Sequence, residues 1–412
     1  MTSFSAHVRR TRRTLMSGAG ALSLVAAAPG HAQLTLRLTG LPAGTPAGAD
    51  IYVAGSFNSW NPADAAYRLA QQGGEYVLTL PGSVRGPVEF KFTLGSWETV
   101  EMDGAGNGAG NRAVVIPPEG AAVYQGTVAA WRDPRTAPVV PSTASPSVSV
   151  LDTAFAIPQL GRTRRVWIYL PPDYATSTKT YPVLYMHDGQ NVFDAATSYA
   201  GEWGVDETLD SLHAAGDWGA IVVAVDNGQQ RRLHEYSPWT HPRHGGGEGD
   251  AYVDFLAQTL KPWIDARYRT RPDRMSTGVA GSSMGGLISL YAALKYPDVF
   301  GRAGVFSPAF WFAADSMYRY ARAARPREGE RFYFVTGARE GSEPEVYVRD
   351  HRRMVDTLAA AGFRPDAQVR AHVREDGTHS EWFWRREFPA AYRWLFGGDD
   401  ADPCTASAAP VR

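Results

Sequence analysis

The residues best suited to chemistry lie in GVAGSSMGGLISLYAALKYP, Gly278 to Pro297, where Ser283 is centred in a Gly-x-Ser-x-Gly frame. A serine hydroxyl becomes a nucleophile only when its surroundings expose it, take its proton and hold the charge that develops. With 42 glycines in 412 residues, the bare pattern arises by chance in roughly one such sequence in five. Its context is therefore what counts. An apolar run precedes Ser283 and a helix-like run follows it, the strand–turn–helix setting of a nucleophile elbow. Gly281 and Gly285 would clear side chains from the turn, and Gly286 would let the helix approach the sheet. Ser282 is adjacent but off the centre of the frame.

A serine in that setting needs an acid and then a histidine, in that order along the chain. Three histidines lie downstream. His351 falls within EVYVRDHRRMVDTL, flanked by charges, and reads as part of a solvated helix face. His372 alternates within a strand. His379, in EDGTHSEWFW, sits in a turn between the last strand and the last helix, and is the expected general base. The acid should follow the strand RFYFVTG, in AREGSEPE. Glu340 is nearest the strand end. Glu343 is its rival, Glu345 reads as a helix-start acid, and Asp315, after VFSPAFWFAAD, is a third candidate. Two amides must hold the oxyanion. One is that of Met284. The other comes from YMHDGQNVFD, where Gly189 permits a sharp turn and the amide of Gly189 or Gln190 completes the hole. His187 and Asp188 read as braces for that loop.

Further residues could shape a pocket. Trp203 and Trp311 follow strand ends or loops and either line the substrate site or fill the core. RRLHEYSPWTHPRHGGGEGD gathers His234, His241 and His244 near Glu235, Glu248 and Asp250. It lacks a helical His-Glu-x-x-His pattern, so it is read as a substrate-contacting loop, and no metal is expected.

These groups need a scaffold. Residues 148–397 alternate strand-like runs (RRVWIYL, YPVLYMH, WGAIVVAV) with helix-like ones, which predicts an α/β domain with a mainly parallel sheet. In EGDAYVDFLAQTLKPWIDARY, Tyr252, Phe255, Leu256, Leu260 and Ile264 can share one helix face. Residues 33–131 alternate apolar and polar residues between Gly, Pro and Asn turns, which predicts a small all-β sandwich. Residues 132–147, rich in Pro, Ser, Thr and Ala, read as a linker, and 398–412 as a disordered tail. Arg9, Arg10, Arg12 and Arg13 precede a short apolar stretch and a small-x-small site before Gln33. Residues 1–32 thus read as a twin-arginine-like signal peptide, and the expectation is an exported protein, periplasmic or secreted. The apolar stretch is too short to span a bilayer.

Two resemblances follow. PVLYMHDGQNVFD, EWGVDETLD, GSSMGG and GTHSEWFW together resemble an esterase group of α/β-hydrolases. That group includes enterobactin-type siderophore esterases, feruloyl and acetyl-xylan esterases, and S-formylglutathione hydrolases. The resemblance implies an α/β-hydrolase fold and ester hydrolysis through an acyl-enzyme, with Ser283 and His379 in the catalytic roles; the acid varies more within the group. IYVAGSFNSWNPADAAYRLAQQGGEYVLTLP with VEFKFTLGSW resembles the immunoglobulin-like modules that bind starch and glycogen. That implies a sugar platform of Trp60, Trp97 and Lys91; the alternative is that Trp60 and Trp97 are packing residues of a module that only braces the next domain.

A net charge of −1 with 20% charged residues gives no basic excess for nucleic acid or an anionic membrane. The single cysteine, Cys404, excludes an internal disulfide. The expectation is an exported serine esterase that needs no cofactor and acts on a small-molecule or carbohydrate-linked ester, feruloyl, acetyl or siderophore. The alternatives are acyl transfer to an alcohol, or a polysaccharide-binding protein with a hydrolase-like scaffold.

Overall fold

The computed structural model describes residues 33–397 apart from 59, 105–107, 134–139, 200 and 342; the signal-peptide and tail readings fall outside the described residues. Residues Gln33–Gly40 pair antiparallel with Glu75–Thr79 and parallel with Ala121–Thr127, in a four-stranded sheet. Tyr52–Gly55, Gly86–Thr93 and Arg112–Ile116 form a second, three-stranded antiparallel sheet. The period of two sends Leu34, Leu36 and Leu38 inward from the first sheet, and Val53, Phe90 and Phe92 from the second, into one shared core.

The larger region is built on eight strands: β1 (Val148–Ile157), β2 (Arg162–Tyr169), β3 (Val183–His187), β4 (Ile221–Val225), β5 (Thr277–Ser282), β6 (Arg302–Phe306), β7 (Arg331–Gly337) and β8 (Val369–Arg374). Their order in the sheet is β1-β2-β4-β3-β5-β6-β7-β8. The β1–β2 and β2–β4 pairings are antiparallel and the rest are parallel. The longer helices are α1 (Val205–Ala214), α2 (Gly249–Phe255), α3 (Met284–Lys295), α4 (Phe310–Ala323), α5 (Pro344–Ala360) and α6 (Glu381–Phe396). Because both faces are covered, strands such as VLYMH and IVVAV are buried throughout. Val183 and Tyr185 join the core under α2–α5, while Leu184 and Met186 join the one under α1 and α6. The fold is that of an α/β-hydrolase, with the parallel strand ends gathered along one edge of the sheet. Among the described residues no helix is long and apolar enough to cross a membrane.

The stripe Tyr252, Phe255, Leu256, Leu260 and Ile264 is buried as expected, and α2 continues through a π-turn (Leu256–Leu260) into Lys261–Asp265. The linker reading needs correction over its second half. Ser142 Oγ donates to Asp194 at 2.9 Å, Thr143 Oγ1 to Glu202 at 2.7 Å, Ser145 N to Asp206 at 2.7 Å and Ser147 Oγ to Asp210 at 3.1 Å. Its small polar residues act as donors to a row of carboxylates, so 142–147 is a strap laid on the hydrolase region.

Candidate active site

Ser283 links β5 to α3 with φ 59° and ψ −120°. A non-glycine residue held there costs on the order of 1–3 kcal/mol. Its amide donates to Phe306 O at 2.9 Å, and its carbonyl accepts from Leu287 N at 3.1 Å and Ala309 N at 3.0 Å. The glycines divide the work unevenly. A Cβ on Gly281 would lie 2.9 Å from His187 Cδ2, and one on Gly286 would lie 2.8 Å from Phe306 O. One on Gly285 would meet nothing closer than 3.4 Å, so Gly285 does less to clear the turn than its place in the motif suggested. Met284 opens α3, and an amide in the first helical turn has no acceptor within its own helix.

Glu340 is completely buried on the loop after β7. One oxygen, Oε1, accepts from Gly337 N at 2.5 Å and Ser307 Oγ at 2.6 Å; Oε2 lies 2.9 Å from His379 Nδ1. A carboxylate only accepts, so Nδ1 bears the proton and Nε2 is left with its lone pair. The two loops meet through glycine: a Cβ on Gly337 would come 2.3 Å from the Gly377 backbone, and Arg339 N donates to Gly377 O at 2.9 Å. The other acids lie elsewhere. Glu343 is exposed at the start of α5, and Asp315 pairs with Arg353 at 3.2 Å on the surface.

Gly189–Asn191 forms a single 3-10 turn after Asp188, whose φ is 57°. A Cβ on Gly189 would lie 2.8 Å from the Val225 carbonyl carbon. Gln190 is pinned by Asn227 N on its side chain at 3.1 Å and by Thr197 Oγ1 on its carbonyl at 2.7 Å. Asp188 pairs with Arg232 at 2.6 and 2.8 Å and with Asn227 at 2.7 Å. Burial raises its carboxyl, but the guanidinium outweighs this and holds it below the usual range. His187 is bonded to Tyr252 OH at 2.9 Å, and burial drives it down to about 4, so it stays neutral.

Trp203 is buried against Phe306, Trp384 and Phe388; of its two readings, core packing is the one observed. Trp311 is 38% exposed and sits edge-on to His241 and His244 at 6.2 and 5.9 Å. The acids of that histidine loop are engaged by cations: Glu235 and Glu248 by Arg162, Asp250 by Lys295. His351 corrects its sequence reading. It is buried, with Nδ1 at 2.9 Å from Thr336 Oγ1.

In the sandwich, Trp60 and Trp97 lie 6.3 Å apart, and Trp97 meets Tyr199 of the hydrolase region edge-on at 5.9 Å. Lys91 Nζ donates to Ala109 O, and burial lowers its pKa. Tyr199 N in turn donates to Asn191 Oδ1 at 3.1 Å. The sequence reading did not reach Ser307, Tyr347, Trp384 or Tyr199. Tyr347 and Trp384 flank the His379 ring at 5.1 and 5.3 Å. Ser307 follows β6 directly, and that position beside the strand leading to Glu340 was the one signal available.

The "Putative esterase" family model matches residues 157–395. The uncharacterized protein YbbA of Bacillus subtilis is 26% identical over 57% of this chain and 93% of its own length. An endo-1,4-beta-xylanase/feruloyl esterase of Xylanibacter ruminicola is 26% identical over 55% of this chain, which spans only 28% of that relative. The structure of siderophore hydrolase EstA from Aspergillus nidulans superposes with TM-score 0.50 at 17% identity, over 63% of this chain and 97% of EstA. The chain belongs to the "Putative esterase" family and is a carboxylic ester hydrolase.

Proposed function

We propose that the chain is an exported serine esterase working through a Ser283–His379–Glu340 triad. Ser283 attacks the ester carbonyl, His379 Nε2 takes its proton and returns it to the leaving alcohol, and Glu340 keeps the imidazole in the tautomer that can do so. The amides of Met284 and of Gly189 or Gln190 receive the oxyanion. Water, deprotonated by the same histidine, then releases the acid. The observation that carries this reading is the buried Glu340 oxygen 2.9 Å from His379 Nδ1, on strand ends that share an edge with the strained Ser283 turn. The twin-arginine-like leader supports export.

The substrate class proposed is an ester whose alcohol is a saccharide. Trp60, Trp97 and Tyr199 run from the sandwich onto the loop that follows the Gly189–Asn191 turn, and aromatic faces suit sugar rings. A relative named for both xylanase and feruloyl esterase activity supports the same choice. Ser283→Ala should lower kcat on a simple aryl ester by at least about 10³ and abolish labelling by a fluorophosphonate probe; unchanged turnover would end the proposal. Relative kcat/KM on feruloyl-sugar, acetyl-xylan and catecholate trilactone esters then ranks the substrates, and a preference for the trilactone would replace the saccharide by a siderophore.

A further inference from the structure

Glu340 is a long acid. Glutamate has one more side-chain torsion than aspartate, and a carboxylate able to rotate would present its oxygen to the histidine only part of the time. What stops it lies on a neighbouring strand end. Ser307, buried directly after β6 with φ 42°, donates its backbone N–H to Val335 O at 2.7 Å. Its hydroxyl lies 2.6 Å from Glu340 Oε1 and 2.8 Å from Trp384 Nε1. The polarity of this chain is forced. An indole N–H only donates, so Ser307 Oγ accepts from Trp384. An ionised carboxylate only accepts, so the Ser307 proton points at Glu340. With Gly337 N on the same oxygen, Oε1 is fully engaged and Oε2 is turned to His379. Trp384 also presses edge-on against the His379 ring at 5.3 Å and 86°, so one indole touches both ends of the arrangement.

We propose that Ser307, its hydroxyl oriented by Trp384, is a positioning residue that locks the Glu340 carboxylate in the orientation His379 requires. The proposal rests on the triad reading above and adds a run of donors, Trp384 to Ser307 to Glu340 Oε1, that meets the His379 Nδ1–H bond on the other oxygen of the same carboxylate.

Ser307→Gly is the discriminating variant, because it removes the hydroxyl with its Cβ and glycine accepts φ 42° without strain. In the full chain, kcat on an aryl ester should fall about 10- to 100-fold while KM changes less than about twofold. Ser307→Ala should behave alike. Trp384→Phe, which frees the hydroxyl to turn away, should give a smaller loss in the same direction and keeps the test valid if a Ser307 variant folds poorly. Folded variants with kcat within twofold of the parent, or with a loss that falls on KM and not on kcat, would overturn the inference. Ser283→Ala separates the two levels: full activity there removes the triad reading itself, whereas an inactive Ser283→Ala beside normal Ser307 variants removes only the role of Ser307.

Discussion

A buried imidazole must choose between a proton and its surroundings, and His351 has chosen. It lies against β7, bonded to Thr336, and burial drives it down to about 4. An unfolded chain binds that proton near pH 6.5, so the folded state has its full advantage above that value and loses it as pH falls toward 4. His351→Gln can keep a bond to Thr336 yet cannot titrate. Between pH 7.5 and 5.5 the parent should therefore lose about 1.4 kcal/mol of stability relative to this variant, read from urea denaturation at the two pH values. The parent's own curve is a poorer guide. Asp206, raised to about 7 by burial and then by Glu207, gains stability as pH falls. At this scale the sequence reading singled out Ser283, His379 and Glu340 as candidates, because each sits where a strand run stops and a glycine or turn residue begins. It did not find Ser307 or Trp384, since their partners are 33 and 77 residues away and no local pattern records such contacts. His351 was misread for a related reason. The buried stripe of α5 holds Asp350, His351, Met354, Thr357 and Leu358, and its polar members hide the apolar period.

Elements meet where side chains are missing. The β5–α3 turn packs against the end of β6 through Gly286, so Gly286→Ala would push a methyl to 2.8 Å from Phe306 O and 3.3 Å from Gly281 O. Overpacking of this kind costs about 1–3 kcal/mol, and the shift falls on the Ser283 turn. Gly285→Ala, with nothing nearer than 3.4 Å, should change stability by less than about 1 kcal/mol and leave most activity. Thermal melts and kcat for the two variants check the contrast; equal effects would contradict it. The alternation of strand and helix was readable because buried parallel strands are continuous apolar runs. The β4-before-β3 crossing was not, since loop lengths alone do not say on which side of a strand the next one lands.

At the scale of the whole molecule, the sandwich and the hydrolase region meet at Trp97 and Tyr199. If saccharide lies across that junction, Trp97→Ala should raise KM for a feruloyl-sugar ester about tenfold and leave methyl ferulate within twofold, since stacking on an aromatic face is worth about 1 kcal/mol or more. Equal KM changes on both would place the tryptophan in packing alone. Composition made the sandwich, the linker and the catalytic region legible as segments, but where the linker ends is a tertiary matter, decided by Asp194, Glu202, Asp206 and Asp210. The same stretch of chain, His187 to Gly204, carries the Gly189–Asn191 turn, the Tyr199 contact and two of the strap's four anchors. A catalytic fragment cut for study or use should therefore begin at Ser142 and not at Val148. The later cut would leave the buried Asp206 without its Ser145 donor and remove the anchors at Asp194 and Glu202, so a fragment begun at Val148 should melt at a lower temperature than one begun six residues earlier.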